Sequence, residues 1–169
     1  MTLHALTEYA RYRWKAKRLH GVHSPFAYDF SEKVLYQHAV NERDDRLKAY
    51  KWLRPRYFTL LAKILSYYNY TNLHCLTHDN EDEPVSCDLL LLKDDAPGDW
   101  VRLFNKYQPY LANNCAVMVS GIHKTKRHSA KWQRLYNHPK VMCSIDLYGV
   151  GLLFFRKEFK EKQHFVLKY

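Results

Sequence analysis

An α/β fold is predicted for this chain: a mostly parallel sheet with a C-terminal antiparallel hairpin, preceded by an N-terminal helical hairpin. Three observations carry that expectation. The run Leu89 to Leu92 is apolar without alternation, as in a strand buried on both faces of a parallel sheet. Strand candidates at 72–77, 89–92 and 115–119 alternate with helical periodicities over 57–68, 99–111 and 123–137, the rhythm of α/β layers. Finally, 141–147 and 151–155 are joined by Tyr148-Gly149-Val150 alone, too short for a helical crossover, so they pair antiparallel. At 169 residues a single domain, 1–169, is expected, with the helical hairpin in 1–40 and the α/β core in 55–169.

In chain order, residues 3–19 predict a helix whose Leu3, Leu6, Ala10 and Trp14 share one stripe, with Arg11, Lys15 and Arg18 off it. Gly21 is expected to stop it. Ser24-Pro25 reads as an N-cap followed by proline at the first helical position, opening a helix with Phe26, Phe30 and Val34 on one face. Residues 41–54 are polar and charged. After Pro55, the spacing of Tyr57, Leu60, Leu61, Ile64, Leu65 and Tyr68 predicts the clearest helix of the chain. Residues 72–77 form a short strand running into an acidic loop at 78–84. Asp99 caps a helix whose stripe is Trp100, Leu103, Phe104, Tyr107 and Leu111, and 115–119 is the next strand. Residues 123–137 are a basic helix anchored by Trp132, Leu135 and Tyr136, and Phe165 to Leu167 close the chain as an edge strand or packed tail.

Composition narrows the function classes. No run of about 18 apolar residues exists to span a bilayer, and no membrane partner is expected; a cytoplasmic location is. The four cysteines are widely spaced and read as reduced core residues. The net charge of +10 is uneven: residues 79–99 hold eight acids and one base, a local −7 that leaves +17 elsewhere. A surface so basic attracts polyanions, and it also serves as a solvated face that keeps a protein in solution. The cations most suited to a polyanion are Arg11, Arg13, Lys15, Lys17 and Arg18, and Lys124, Lys126, Arg127, Lys131 and Arg134 beside Trp132 and Tyr136. They form an electrostatic footprint rather than a base-reading motif.

Asp94, Asp95 and Asp99 follow the strand at 89–92, where α/β proteins bind ligands, but acids there also suit a helix-capping loop. His74, His78 and Asp79 offer a weak metal-like spacing, and no metal is expected. His20 to Ser24 is expected to form a structural turn, and His123 receives no catalytic role. With no Walker loop, zinc-type cysteine pair or Ser-His-Asp spacing suggestive of a nucleophile elbow, no catalytic residue is assigned.

Residues 12–26 with Tyr28-Asp29-Phe30, then Gln108-Pro109-Tyr110-Leu111, Gly121-Ile122-His123, 137–147, 154–158 and 164–169 form stretches of one pattern. Together they resemble a bacterial family of small class I S-adenosylmethionine (SAM)-dependent, O-methyltransferase-like enzymes. The resemblance implies a reduced Rossmann-like methyltransferase sheet. It also exposes departures. The family follows its first strand with a loop of the type E-x-G-x-x-x-G, whereas residues 77–84 here contain no glycine and four carboxylates, so a backbone approach to SAM is blocked. The vestigial site falls at Thr77, His78, Asp79, Asp94 and Asp95. Residues 87–93 resemble the family's fourth strand yet begin about ten residues after the first, which implies deletion of two strands and leaves a fresh sheet edge for the helical hairpin or a second copy to cover. Ser120-Gly121 replaces two aspartates common before Ile-His. The resulting expectation is a degenerate methyltransferase-like binding or assembly module with no cofactor, in which a homodimer is plausible. The alternatives are a basic nucleic-acid-binding protein and an active methyltransferase that uses SAM through an altered or partner-completed site.

Overall fold

The computed structural model describes residues 3–18, 24–37, 44–77, 83–96, 98–155 and 159–169. The chain forms two compact units, the first comprising Met1–Ala16 with Asn72–Lys168 and the second Lys17–Thr71 with Tyr169. Among the described residues the α-helices are α1 (Leu3–Lys15), α2 (Pro25–Phe30), α3 (Pro55–Tyr68), α4 (Trp100–Tyr107) and α5 (Lys126–Tyr136). The strands are β1 (Leu73–Leu76), β2 (Cys87–Leu92), β3 (Leu111–Ser120), β4 (Cys143–Asp146), β5 (Val150–Phe154) and β6 (Gln163–Val166).

The first unit is a mixed α/β body on a six-stranded sheet ordered β1-β2-β3-β5-β4-β6. β1, β2 and β3 pair in parallel, as do β4 and β6, while β5 pairs antiparallel to both β3 and β4. β5 alone therefore runs against the other five. Leu90 and Leu92 of β2, Val117 and Val119 of β3 and Leu153 of β5 pack with Trp100 and Phe104 of α4 and Trp132 and Leu135 of α5. By strand alternation Leu89, Leu91, Ala116, Met118 and Leu152 point to the opposite face, and they are buried too. That double burial is why β2 tolerates no alternation.

Local chemistry sets the element ends. The Asp99 carboxylate accepts from the Val101 N–H at 3.0 Å and so caps α4, as its position predicts. Thr125 Oγ1 accepts from the His128 N–H, so α5 starts at Lys126 rather than 123. Pro109 sits in a 3₁₀ turn, Gln108–Tyr110, that ends the helical run; Leu111 opens β3 instead of completing the α4 stripe. Gly151 admits the Trp132 ring, because a Cβ there would lie 2.5 Å from the indole. All four cysteines lie on strands, and burial pushes their thiols up, to about 11 at Cys75 and Cys87 and about 12 at Cys115 and Cys143.

The apolar stripe of α1 faces out: Leu3, Leu6 and Trp14 are 78%, 50% and 87% exposed, and Ala10 is exposed as well. The helix buries Ala5 and Tyr12 instead. Tyr12 supplies the reason, since its hydroxyl donates to the Leu167 carbonyl at 2.6 Å while its ring meets Tyr148 at 5.5 Å. A phenol whose hydroxyl finds a buried acceptor sets the inward face over a stripe that includes Trp14.

In the second unit, α2 starts with Ser24 at the N-cap and Pro25 in the first turn and then widens into a π turn, Ser31–Leu35. Phe30 and Val34 are buried and Phe26 is half-buried. The stretch read as a polar connection holds a 3₁₀ helix, Asp45–Tyr50, with Leu47 and Tyr50 buried. α3 buries Tyr57, Leu60, Leu61, Ile64 and Leu65 as its periodicity predicts and ends on Asn69 in the left-handed conformation, φ 54°. The two helices of the expected N-terminal hairpin belong to different units, and its turn, with His20, Gly21 and His23, lies outside the described residues.

Candidate functional site

The carboxyl ends of β2, β3 and β4 lie together at one end of the sheet, because Ser120 pairs with Val150 and Asp146 with Gly151 on the intervening strand. Here doubly wound sheets hold their ligands. Among the described residues, the polar groups beyond β2, β3 and β4 are directed at one another.

Asp94 follows β2. Its N–H donates to Ser120 Oγ at 2.9 Å, its carboxylate accepts from Lys124 Nζ at 2.5 Å, and its carbonyl meets His128 Nε2 at 3.2 Å. Burial pushes the His128 imidazole below its ordinary value, which keeps it a neutral donor to that carbonyl. Gly121 is pressed against the same aspartate. It sits at φ +66°, and a Cβ there would fall 2.7 Å from that of Asp94. Its N–H also donates to the Gly149 carbonyl at 2.7 Å. An aspartate at 121 would therefore meet both left-handed strain and a collision, so Ser120-Gly121 is built into how β2 and β3 terminate.

A second cluster surrounds Asp146, whose side chain is 7% exposed. The Asp146 carboxylate receives His123 Nε2 at 2.7 Å, the Trp132 indole N–H at 3.3 Å and the Tyr148 N–H at 2.8 Å, so a buried acid is fully supplied with donors. His123 Nδ1 lies 3.0 Å from Ser129 Oγ, which also meets His4 Nε2 at 3.1 Å. A carboxylate only accepts, so in neutral imidazoles one chain satisfies every member: His4 Nε2–H donates to Ser129, Ser129 O–H to His123 Nδ1, and His123 Nε2–H to Asp146. Glu8 of α1 stands 3.8 Å from His123.

Ser129, His123 and Asp146 thus stand in the order of a hydroxyl nucleophile, its base and the group that orients the base. Yet His4 takes the other side of the hydroxyl, and α1 is held there by Tyr148 Oη donating to the Ala5 carbonyl at 2.7 Å and by the Tyr12–Leu167 bond. The arrangement works as a clasp for α1. Sequence reasoning missed it, although His4, Glu8 and Tyr12 repeat at four-residue intervals on one helix face; His123 follows β3 and Asp146 ends β4, on either side of β5.

The other predicted site residues are dispersed. Asp95 pairs with Lys93 at 2.8 Å and Asp99 with Arg134 at 2.6 Å. Thr77 is half-buried just beyond β1, while His78 and Asp79 lie outside the described residues. His74 stacks on Tyr107 with ring centroids 5.3 Å apart. Among the described residues no three His, Cys, Asp or Glu side chains gather as a metal requires. Of the basic run, Lys124 and Arg134 are paired with Asp94 and Asp99, and Lys131 donates to the Gly98 carbonyl at 2.6 Å. Lys126 and Arg127 are exposed, as are Arg11, Arg13 and Lys15 on α1; Lys17 and Arg18 are exposed in the second unit. No helix among the described residues is long and apolar enough to cross a membrane. Comparison with family models, with curated proteins and with solved structures finds no match.

Proposed function

We propose that this chain is a degenerate SAM-methyltransferase-like protein that no longer transfers methyl groups and serves as a binding or assembly module. The observation that carries the reading is the internal commitment of the sheet's carboxyl end. Lys124 closes on Asp94, Gly121 is packed against it, and His123, Ser129 and Asp146 are spent on holding α1. Groups that would receive a ligand are already each other's partners.

The sheet agrees with a reduced Rossmann-like plan. β5 alone opposes five parallel strands, as the terminal hairpin of that plan requires, and β1 pairs directly with β2 across the short segment 77–86. The His123–Asp146 bond joins two of the segments that carry the family resemblance, Gly121 to His123 and 137–147. Self-assembly fits the position of β1 at the end of the strand order, where a second copy would extend the sheet.

Calorimetry of the purified chain against SAM and S-adenosylhomocysteine tests the reading. No heat of binding is expected, and a micromolar affinity for either overturns it. Sedimentation that returns a monomer at every concentration removes the homodimer.

A further inference from the structure

The apolar stripe of α1 stays outside the core. Leu3, Leu6, Ala10 and Trp14 lie within about 80° of arc on a helix of 3.6 residues per turn, and all are exposed. Arg13 follows Leu6 at one margin of this arc and Arg11 stands at the other, with Lys15 beyond it; all three are exposed. The acid of the helix, Glu8, is turned inward, 13% exposed, between Arg11 and His123. An apolar face with tryptophan and leucine, cationic margins and no exposed carboxylate is the pattern of a helix lying in a lipid interface, where long cations reach headgroups while apolar side chains enter the acyl boundary.

We propose that α1 docks the protein on an anionic lipid surface through Leu3, Leu6, Ala10 and Trp14, with Arg11, Arg13 and Lys15 on the headgroups. Charge complementarity selects this occupant. A second copy applied to the same face would set arginines against arginines, with no exposed α1 acid to receive them. A nucleic acid would engage the cations but leave Leu3 and Leu6 in water. The expectation of no membrane partner rested on the lack of a spanning run, and a helix lying flat needs none. The proposal does not depend on the methyltransferase reading.

The whole chain is sedimented with vesicles of phosphatidylcholine alone and of phosphatidylcholine with phosphatidylserine, as wild type, as L6S/W14S and as R11Q/R13Q. Because the substituted side chains are exposed, thermal unfolding of the variants should match wild type and establish that they fold. Expected is binding to the anionic vesicles alone, about tenfold or more weaker in L6S/W14S, and weaker in R11Q/R13Q and at high salt. Binding that L6S/W14S leaves intact overturns the proposal. So does no binding to either vesicle, whether or not the chain instead forms a dimer lost in L6S/W14S or binds RNA.

Discussion

At the scale of single residues, Asp146 has the most to lose. Three donors converge on it inside the fold, and its removal leaves each of them short of an acceptor. Asp146→Ala is expected to cost about 3 kcal/mol, measured by urea unfolding. Ser129→Ala, which loses one hydroxyl between two imidazoles, should cost about 1 kcal/mol. If Ser129 were instead a reactive nucleophile, a fluorophosphonate would label it in the native protein, and no labelling is expected. None of this was legible in the sequence. Asp146 and His123 are 23 positions apart, and only the return of the chain through β4 sets them side by side.

At the scale of elements, what could be read depended on whether apolar periodicity and burial agree. They agree in α3, in the Trp100-to-Tyr107 stripe of α4 and in β2, where spacing alone identified the buried residues. They part in α1, where two stripes share one period and the Tyr12 face won because the Tyr12 hydroxyl found the Leu167 carbonyl and the Ala5 carbonyl received the Tyr148 hydroxyl within the unit. They part again at Asp45–Tyr50, whose charged neighbours hid a buried Leu47. The candidate site was legible only in outline: the carboxyl end of the sheet was foreseen, its mutual pairing was not. The contact between α5 and β5 has its own test. Gly151→Ala drives a methyl into the Trp132 ring and should destabilise by about 1–3 kcal/mol, lowering the thermal midpoint. The double variant with Trp132→Ala should show the glycine substitution costing less than it does alone.

At the scale of the whole molecule, stability should fall toward acid. Burial holds the imidazoles of His164 and His128 below their ordinary value, the first stacked on Tyr136 with centroids 4.1 Å apart. The unfolded chain accepts protons at these positions that the folded chain resists. Their contribution is therefore complete above about pH 6.5 and declines as pH drops from there through the folded values. Urea midpoints between pH 7.5 and 5 should fall, and His164→Gln should flatten the slope; an unchanged slope would assign the loss elsewhere. The bonds from Tyr12 to Leu167 and from Tyr148 to Ala5 carry one more consequence. During synthesis on the ribosome, the seat of α1 does not exist until the β4–β5 hairpin and β6 have emerged. α1 is thus among the last of these elements to dock, and until then the nascent chain has both of its faces on offer to chaperones.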